Sequence, residues 1–478
     1  MGAITGKQFI DRINQLKSNI WIDGKQINEK LSEHPAFKGI IKSKASLYDL
    51  QHDPVLSEKL TFTEFNDKIG LSFLQPKTIE DLFKRRNMFE IWAKNTNGMM
   101  GRSPDYMNTV VMAFASSASY LNSKENCFPK NITALYQRAM KDDLSFTHTF
   151  ITPQVNRSQL MWVNSKEPIS AKVVEKNDQG IIIKGARLLA TQGGLTDEVL
   201  VYSAGGVYDL DSAYAFSIPS DTEGLKFICR QSFVGGESTF NFPLSSRFEE
   251  MDTLLVFDYV LVPWERVFFY DNIEVANTFI LQSSFHSNAF HQVITRQIVK
   301  TEFILGLAEL LVNAINIGEY LHIKNKLSEI VMGLETMKAL LQKAENEAAL
   351  DDSGFMRPNL LPLQVASNIF PKIYPRFCEI IQIIGASGII TLPTEEDFNS
   401  EIRGDLDQYL QGACCNAVDR VKIFRLAWEL TMSSFGTRQT QYERYFFGDP
   451  VRLSGSLYNS FVKEPYVARV KEFLEIDD

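Results

Sequence analysis

Two short polar clusters contain the side chains best suited to chemistry in this chain. The first, GRSPDY at 101–106, combines the permanently cationic guanidinium of Arg102 with the phenol of Tyr106. Pro104 fits the first turn of a helix and Ser103 its N-cap, which would put Arg102 just outside the helix start and Tyr106 just inside it. Both side chains could then reach one cleft. The plain alternative is a capped helix with an exposed arginine.

The second cluster surrounds His148, one of six histidines, in the sequence THT at 147–149. It lies where a helical pattern gives way to a β pattern, shortly before PQVNR at 153–157. Imidazole changes charge near neutral pH and can accept or relay a proton. A lone histidine is more often structural, but its setting makes His148 a candidate for acid–base chemistry.

Motifs for several other chemistries are absent from the sequence. There is no GxGxxG after a strand, no GxxxxGK[ST], no HExxH and no GxSxG. Rossmann-type NAD binding and nucleotide-driven phosphoryl transfer therefore have no support, and no CxxC pair suggests a zinc site. We predict no metal site. A serine or cysteine nucleophile stays open, since catalytic triads assemble from distant residues.

Charge and cysteine usage narrow the class of protein further. The formal net charge of −9 argues against a nucleic acid as the main partner, because neutralising its backbone needs a basic face. The longest apolar stretch, 303–317, is interrupted by Glu309 and Asn313 and is too short for a membrane span. The five cysteines are odd in number and irregularly spaced, which favours reduced thiols. We expect a soluble, cytoplasmic protein.

The elements that must position these clusters follow a helix–strand–helix order. Thr5 and Gln8 form a candidate capping box before a first helix, residues 32–62 resemble a polar connection, and the pattern from 63 to 140 is mostly helical. A hairpin is predicted around the turn at 177–180. Beyond 272 helices dominate. One long helix is predicted to carry on one face Ile330, Val331, Leu334, Met337, Leu340 and Leu341, and to be extended by Ala344, Ala348 and Ala349. Further strand-like runs lie at 198–202, 214–218, 225–233 and 254–262.

We therefore predict an α+β fold, mostly α, in three domains. These are an N-terminal helical domain at 1–144, a central antiparallel β-barrel domain at 145–271, and a C-terminal helical bundle at 272–478 that carries the oligomerisation surface. This layout resembles that of acyl-CoA-dehydrogenase-like flavoproteins, which hold flavin between the β domain and the bundle. Layout alone is weak evidence of function.

Eight segments in order resemble the oxygenase component of the 4-hydroxyphenylacetate 3-monooxygenase family, across nearly the whole chain. Together they are far more specific than any one of them. They are GRSPDY at 101–106, THT at 147–149, ARLLAT at 186–191, GLKF at 224–227, LVPWER at 261–266, KTEF at 300–303, FGTRQ at 435–439 and GDP at 448–450.

The resemblance implies a two-component flavin-dependent monooxygenase. FAD would be used as FADH2 supplied by a separate NAD(P)H:flavin reductase, dioxygen would form a flavin C4a-hydroperoxide, and a phenol would be hydroxylated ortho to its hydroxyl. 4-Hydroxyphenylacetate or a related phenol would become a catechol. The choice of FAD over FMN and the physiological phenol rest on similarity alone.

The same resemblance assigns roles to particular residues. Arg102, Tyr106 and His148 would be catalytic, surrounding the phenolic oxygen. Thr191 would face the flavin ring, and QIIGASG at 382–388 is similar to a stretch that contacts the ADP end of FAD from a neighbouring subunit, which implies a homotetramer. Further cofactor-binding positions would be Gln154, Val155, Asn156, Arg157, Asp449, Pro450, Val451 and Arg452. Further substrate-binding positions would be Ser103, Pro104, Asp105, Ser203 and Ala204.

Two alternatives stay open at this stage. A 4-hydroxybutyryl-CoA dehydratase shares the fold but needs three cysteines and a histidine for a [4Fe–4S] cluster; His291 is a candidate, but Ile298 stands where a thiolate is expected. A non-catalytic homologue that only oligomerises is the second. Departures from the family, a Pro153-Gln154 pair and glycines at 205 and 206, leave the preferred phenol open.

Overall fold

The N-terminal part of the chain is mainly helical. The structure, a computed structural model, describes residues 2–155, 167–203 and 205–476. The predicted capping box at Thr5 and Gln8 is present and starts the first helix. The helices are α1 Gly6–Gln15, α2 Lys38–Leu50, α3 Ser57–Leu60, α4 Ile79–Asn95, α5 Pro104–Ser116 and α6 Pro129–Asp142, and the strands are β1 Asn19–Ile22, β2 Lys25–Gln26, β3 Thr61–Glu64 and β4 Asp67–Gly70.

One N-terminal prediction is wrong. The polar connection expected at 32–62 contains α2, whose apolar residues Ile40, Ile41, Leu47 and Tyr48 are buried. Lysines and serines between these positions hid the helical period. Burial of the apolar face against the rest of the core, rather than composition, decides the structure here.

The middle of the chain forms two sheets. The six-stranded sheet has the order β2-β1-β10-β11-β7-β6, and the four-stranded sheet has the order β12-β9-β8-β5. The predicted hairpin is present as β6 and β7. The strands are β5 Phe146–Thr149, β6 Lys172–Lys176, β7 Gly180–Thr191, β8 Glu198–Val201, β9 Ala215–Pro219, β10 Leu225–Cys229, β11 Asp252–Pro263 and β12 Val267–Phe269, with a short helix, α7, at Ser245–Phe248.

The mostly helical α+β fold class is confirmed, with one difference in the sheets. In the part of the chain that the structure describes, the strands form two larger open sheets and two separate two-stranded pairs, and no closed barrel. Two strand pairs are also parallel, because β1 enters from the N-terminal region beside β10 and β5 lies beside β8. These pairings join segments distant in sequence, which local turn signals do not reveal.

Helices fill the C-terminal part around the long helix α9, most of which is buried. The predicted helix with Ile330 and Leu334 on its buried face is α10, but Val331 is exposed because it lies about 100° around the helix from Ile330. The helix ends at Asn346, and Ala349 belongs to a short strand pair. No helix in the described ranges is both long and apolar enough to cross a bilayer. The helices are α8 Ile273–Gln282, α9 Phe285–Ala314, α10 Leu321–Asn346, α11 Leu360–Gly385, α12 Glu395–Phe398, α13 Arg403–Tyr409, α14 Ala417–Thr431, α15 Ser434–Tyr445, α16 Pro450–Ser460 and α17 Glu464–Leu474, and the strands are β13 Ala349–Leu350 and β14 Met356–Arg357.

Candidate active site

A cavity of about 1070 Å³ lies between the six-stranded sheet and α15. Its volume is at the upper end of the range for small-molecule and cofactor sites. The segment just before α5, the end of β5, the end of β7 and the start of β11 all reach it. Its wall includes Arg102, His148, Phe150, Gln154, Leu188, Leu189, Thr191, Ile228, Arg230, Asp252, Met432, Arg438, Tyr442, Tyr445, Phe446 and Gly448.

Arg102 is held at this wall by its own backbone. The amide nitrogens of Gly101 and Arg102 donate to the two carboxylate oxygens of buried Glu250, at 2.9 and 2.7 Å. The guanidinium carbon lies 4.4 Å from the ring centroid of Tyr106 and 4.2 Å from that of Phe446. A Cβ on Gly101 would come within 2.2 Å of the Tyr442 ring, so this close approach requires glycine. The backbone anchor and the two aromatic rings thus hold the Arg102 guanidinium in place without a carboxylate from the described residues beside the guanidinium itself.

His148 lies on β5 with its ring buried beside Tyr106, whose centroid is 5.7 Å away in an edge-to-face contact. Its Nδ1 is 2.6 Å from the hydroxyl of Tyr202, on the segment that follows β8. Burial, with a smaller contribution from Arg102, holds the pKa of His148 well below its usual value. The imidazole is therefore neutral at pH 7.

The structure brings Arg102, Tyr106 and His148 together, as predicted, and their catalytic roles remain a prediction. Burial raises the pKa of Tyr106 although Arg102 acts against it, so its phenol stays protonated. Ser103 and Pro104 start α5 as expected, but the Ser103 hydroxyl meets the carboxylate of Asp105 rather than capping the helix.

The predicted substrate-binding residues that follow Arg102 in the chain are buried in the protein interior. Asp105 also accepts from Gln292 at 2.9 Å, and burial raises its pKa. Within the described residues, the cavity wall includes Arg102 but not Ser103, Pro104, Asp105 or Tyr106. Ser203 is buried, with its Oγ 3.5 Å from the carbonyl oxygen of Gly205, while Ala204 lies outside the described residues.

Only some of the predicted cofactor-binding residues line the cavity. Thr191 and Gln154 line the cavity, and Val155 lies at the surface. Asn156 and Arg157 lie outside the described residues. At the C-terminus, Gly448 lines the cavity, whereas Asp449 caps α16 by accepting from the backbone of Arg452, and Pro450 and Val451 begin that exposed helix.

Sequence reasoning missed an ion network at the cavity floor. Arg438 donates to both oxygens of Asp252 at 2.7 and 3.0 Å, and Arg230 donates to Asp252 at 3.0 Å. Thr191 donates its hydroxyl to the same carboxylate at 2.8 Å. Burial alone would raise the pKa of Asp252, but Arg438 and then Arg230 hold it at about 2. The acidic run at 249–252 was the available signal, although its partners lie far away in sequence.

The cavity also presents apolar side chains to open space. Leu189, Ile228, Met432 and Tyr445 are between 39% and 48% exposed, although each lines the cavity. Leu189 has a φ of 58°, at an irregularity in the pairing of β7 with β11 that turns it out of the sheet. Apolar walls with arginine donors at one side fit a flat, partly polar ring system such as a flavin.

Two family models cover the chain almost end to end. The N-terminal model of 4-hydroxyphenylacetate 3-hydroxylase matches residues 5–269, and the C-terminal model matches residues 276–475. The chain belongs to the 4-hydroxyphenylacetate 3-hydroxylase family. This confirms the resemblance inferred from the eight segments.

Relatives of this hydroxylase family are similar over their full length. The probable 4-hydroxyphenylacetate 3-monooxygenase of Bacillus subtilis (strain 168) is 63% identical, covering 100% of this chain and 99% of that protein. The crystal structure of the oxygenase component of 4-hydroxyphenylacetate 3-monooxygenase, complexed with FAD and 4-hydroxyphenylacetate, has a TM-score of 0.95. It is 44% identical and covers 99% of this chain and 98% of that one.

The rival dehydratase has the same fold, but the ligands that its cluster would need are not gathered around His291 in the part of this chain that the structure describes. The oxygen-tolerant archaeal 4-hydroxybutyryl-CoA dehydratase from N. maritimus has a TM-score of 0.89 at 18% identity, covering 100% of this chain and 96% of that one, which shows the fold alone. Here Nε2 of His291 lies 2.8 Å from Glu345. Among the described residues no group of three or more His, Cys, Asp or Glu side chains could hold a metal ion. The cysteine ligands that this alternative requires do not surround His291.

The low pKa of Asp252 predicts a pH dependence of stability in this hydroxylase. A carboxylate with pKa near 2 in the folded protein and about 3.9 when unfolded stabilises the fold above pH 4, and this stability is lost as pH falls toward 2. The full effect is about 2–3 kcal/mol. We expect urea unfolding of Asp252→Asn to lose that stability at pH 7 and to depend less on pH between 5 and 3 than the wild type (~1 kcal/mol less change). An unchanged slope against pH would contradict the assignment.

Proposed function

We propose that this chain is the oxygenase component of a two-component aromatic hydroxylase. It uses FADH2 from a separate NAD(P)H:flavin reductase, and dioxygen, to hydroxylate 4-hydroxyphenylacetate or a related phenol to a catechol. The observation that carries this proposal is the convergence of Arg102 and His148 on one cavity whose other walls suit a flavin ring. Family membership adds to it.

Arg102 and His148 would prepare the phenol for attack. A phenol with a pKa near ~10 is a poor nucleophile until its oxygen carries negative charge that spreads into the ring. Arg102 stays cationic, and its contacts with two aromatic faces fix the guanidinium where a phenolic oxygen can meet it. The neutral ring of His148 supplies a second polar group at the same wall.

The other cavity residues would hold the cofactor and keep water out. Bound reduced FAD supplies the electrons and activates dioxygen, so that one oxygen atom is transferred to the ring carbon beside the phenol oxygen. Thr191, Gln154, Leu189 and Met432 line the cavity. The first two would contact the flavin, and the last two would cover its faces. Apolar cover protects the oxygen transfer from side reactions with water.

The test is direct turnover. Purified protein with NADH, a flavin reductase, FAD and 4-hydroxyphenylacetate is expected to give a product one oxygen atom heavier, identified by mass as the catechol. A panel of substituted phenols would rank substrates. Anaerobic titration with FADH2 measures cofactor binding and separates the alternatives. Tight FADH2 binding with no hydroxylation in the turnover assay would contradict the proposed activity. No FADH2 binding would support the non-catalytic homologue.

We further propose a homotetramer in which the two last helices contact a neighbouring copy. Helices α16 and α17 have no buried residue within the chain. Along α17, Val467, Val470 and Phe473 are 53%, 56% and 85% exposed. An apolar helix face of this kind belongs at an interface.

Negative charges introduced on the apolar face of α17 are expected to dissociate the proposed homotetramer. We predict that Val470→Asp combined with Phe473→Asp lowers the mass measured by light scattering, because burying two carboxylates costs several kcal/mol. The control is Glu472→Lys, which changes the charge of the same helix on the side opposite its apolar face. A double variant with wild-type mass would exclude α17 from the interface.

The three-domain division at 1–144, 145–271 and 272–478 remains a proposal. It is supported by the junction of the two family-model regions between residues 269 and 276. The location in the cytoplasm likewise rests on cysteine usage.

A further inference from the structure

Tyr202 is the hydrogen-bonding partner of His148, and its sequence context gave no sign of that role. The Tyr202 hydroxyl lies 2.6 Å from Nδ1 of His148. Its ring is buried, stacked on Phe150 at 5.7 Å and in edge contact with Phe114 and Phe285. The tyrosine ring is therefore held by packing, with its hydroxyl directed at the imidazole.

The direction of this hydrogen bond decides which nitrogen of His148 carries the proton. Among the described residues, Nδ1 of His148 is the sole hydrogen-bond partner of the Tyr202 hydroxyl. If Nδ1 donated, the hydroxyl hydrogen of Tyr202 would be buried without an acceptor, which costs free energy. If Tyr202 donates, both groups are satisfied, and Nε2 carries the ring hydrogen.

The charges around His148 agree with a neutral ring. The groups facing it are the Arg102 guanidinium and the phenols of Tyr106 and Tyr202, with Phe150 as an apolar neighbour. Burial keeps Tyr202 protonated by raising its pKa well above the usual value. No carboxylate contacts the imidazole among the described residues, so nothing there favours imidazolium.

We propose that Tyr202 is a positioning residue that locks His148 in its Nε2–H tautomer, so that His148 donates a hydrogen bond to the phenolic oxygen instead of removing its proton. This inference rests on the proposed function for the identity of the acceptor. With Arg102, the site then offers two donors to one oxygen, which favours the phenolate. The phenol's proton is released to solvent on binding.

The tautomer itself can be measured without turnover. Full-length protein with 15N-labelled histidine, free of phenol and with or without oxidised FAD, is examined by NMR at neutral pH, and His148 is assigned by its loss in His148→Gln. We expect shifts of the neutral Nε2–H form. A neutral Nδ1–H form, or imidazolium, would overturn the proposal whatever the enzyme's activity.

Tyr202→Phe removes the hydroxyl and keeps the ring. We expect His148 in this variant to become a mixture of both tautomers. The phenol 4-nitrophenol, whose phenolate is yellow, then reports the ionisation of a bound phenol: its apparent pKa on the enzyme should rise by about one unit in Tyr202→Phe relative to the wild type. Proton uptake or release by a pH-indicator dye checks the same step.

Tyr136→Phe is the matched control. Tyr136 is also buried, and its hydroxyl donates to the carbonyl of Phe73 at 2.7 Å, away from the cavity. It should lower stability without moving either the His148 shifts or the 4-nitrophenol pKa. If Tyr202→Phe leaves both readouts unchanged, the proposal fails; if both respond while no phenol is hydroxylated, the positioning role stands and the proposed function fails.

Discussion

Replacing Arg102 with alanine is expected to stop most catechol formation while NADH continues to be consumed and hydrogen peroxide accumulates. Removing a preorganised cationic group from a water-poor site lowers the rate of the step it assists by about 10²–10³-fold. The electrons delivered by the reductase still reach dioxygen, because Arg102 is not proposed to hold the flavin. The measurement is the ratio of catechol to peroxide per NADH oxidised.

The variant should fold, because the contact that anchors this segment is made by the backbone. Glu250 accepts from the amide nitrogens of Gly101 and Arg102, and a side-chain substitution leaves both amides in place. Arg102→Lys keeps the charge but loses the planar group that lies over Tyr106 and Phe446, and we expect partial coupling. His148→Gln should show the same pattern of peroxide release. Full coupling in both Arg102→Ala and His148→Gln would contradict the assigned roles.

The largest effect on stability is expected from Glu443→Gln. Glu443 lies at the centre of a fully buried network, where Arg296 donates to both carboxylate oxygens at 2.6 and 2.9 Å and Lys300 donates at 2.8 Å. Burial would raise the pKa of Glu443, but Arg296 and Lys300 hold it well below its usual range. Neutralising the carboxylate leaves two buried cations with no counter-charge, which costs about 3–5 kcal/mol.

Denaturant unfolding of the full chain at pH 7 measures this loss. Burial lowers the pKa of Lys300 to about 8 although Glu443 raises it, so this pKa should fall further in Glu443→Gln. The loss of stability should therefore shrink as pH rises through the lowered pKa of Lys300, because the neutral amine no longer needs a counter-charge. Asp407→Asn, which breaks an exposed pair with Arg403 at 2.7 Å on α13, is the control and should cost less than about 0.5 kcal/mol. A Glu443→Gln variant as stable as this control would mean that the buried charges are not ionised.

The Glu443 network also explains how the helical bundle supports the cavity. Arg296 and Lys300 lie on α9, Glu443 lies on α15, and the neighbouring Tyr442 and Phe446 line the cavity wall. Fixing Glu443 to α9 fixes the face of α15 that covers Arg102. A loss of activity in Glu443→Gln would therefore result from displaced cavity residues on α15, since Glu443 itself does not line the cavity.

Local sequence rules predicted the structure correctly where the stabilising interaction is made between residues close together in the chain. The capping box at Thr5 and Gln8, Pro104 at the start of α5 and the hairpin of β6 and β7 each depend on residues within a few positions. They failed at α2, where a polar composition hides a buried face, and at Ala349, where the chain leaves α10 to pair with a short strand. Burial depends on the rest of the molecule.

By itself the sequence determined the family, the mostly helical fold class and the three side chains, Arg102, Tyr106 and His148, that meet beside one cavity. The tertiary structure alone decided what holds them: Glu250 under Arg102, Tyr202 against His148, and Asp252 with its arginines at the floor. These partners lie between 22 and 186 residues away along the chain, so no spacing rule could pair them. Their contacts exist because burying a charge or a polar ring requires a partner, and the fold, not the neighbouring sequence, supplies it.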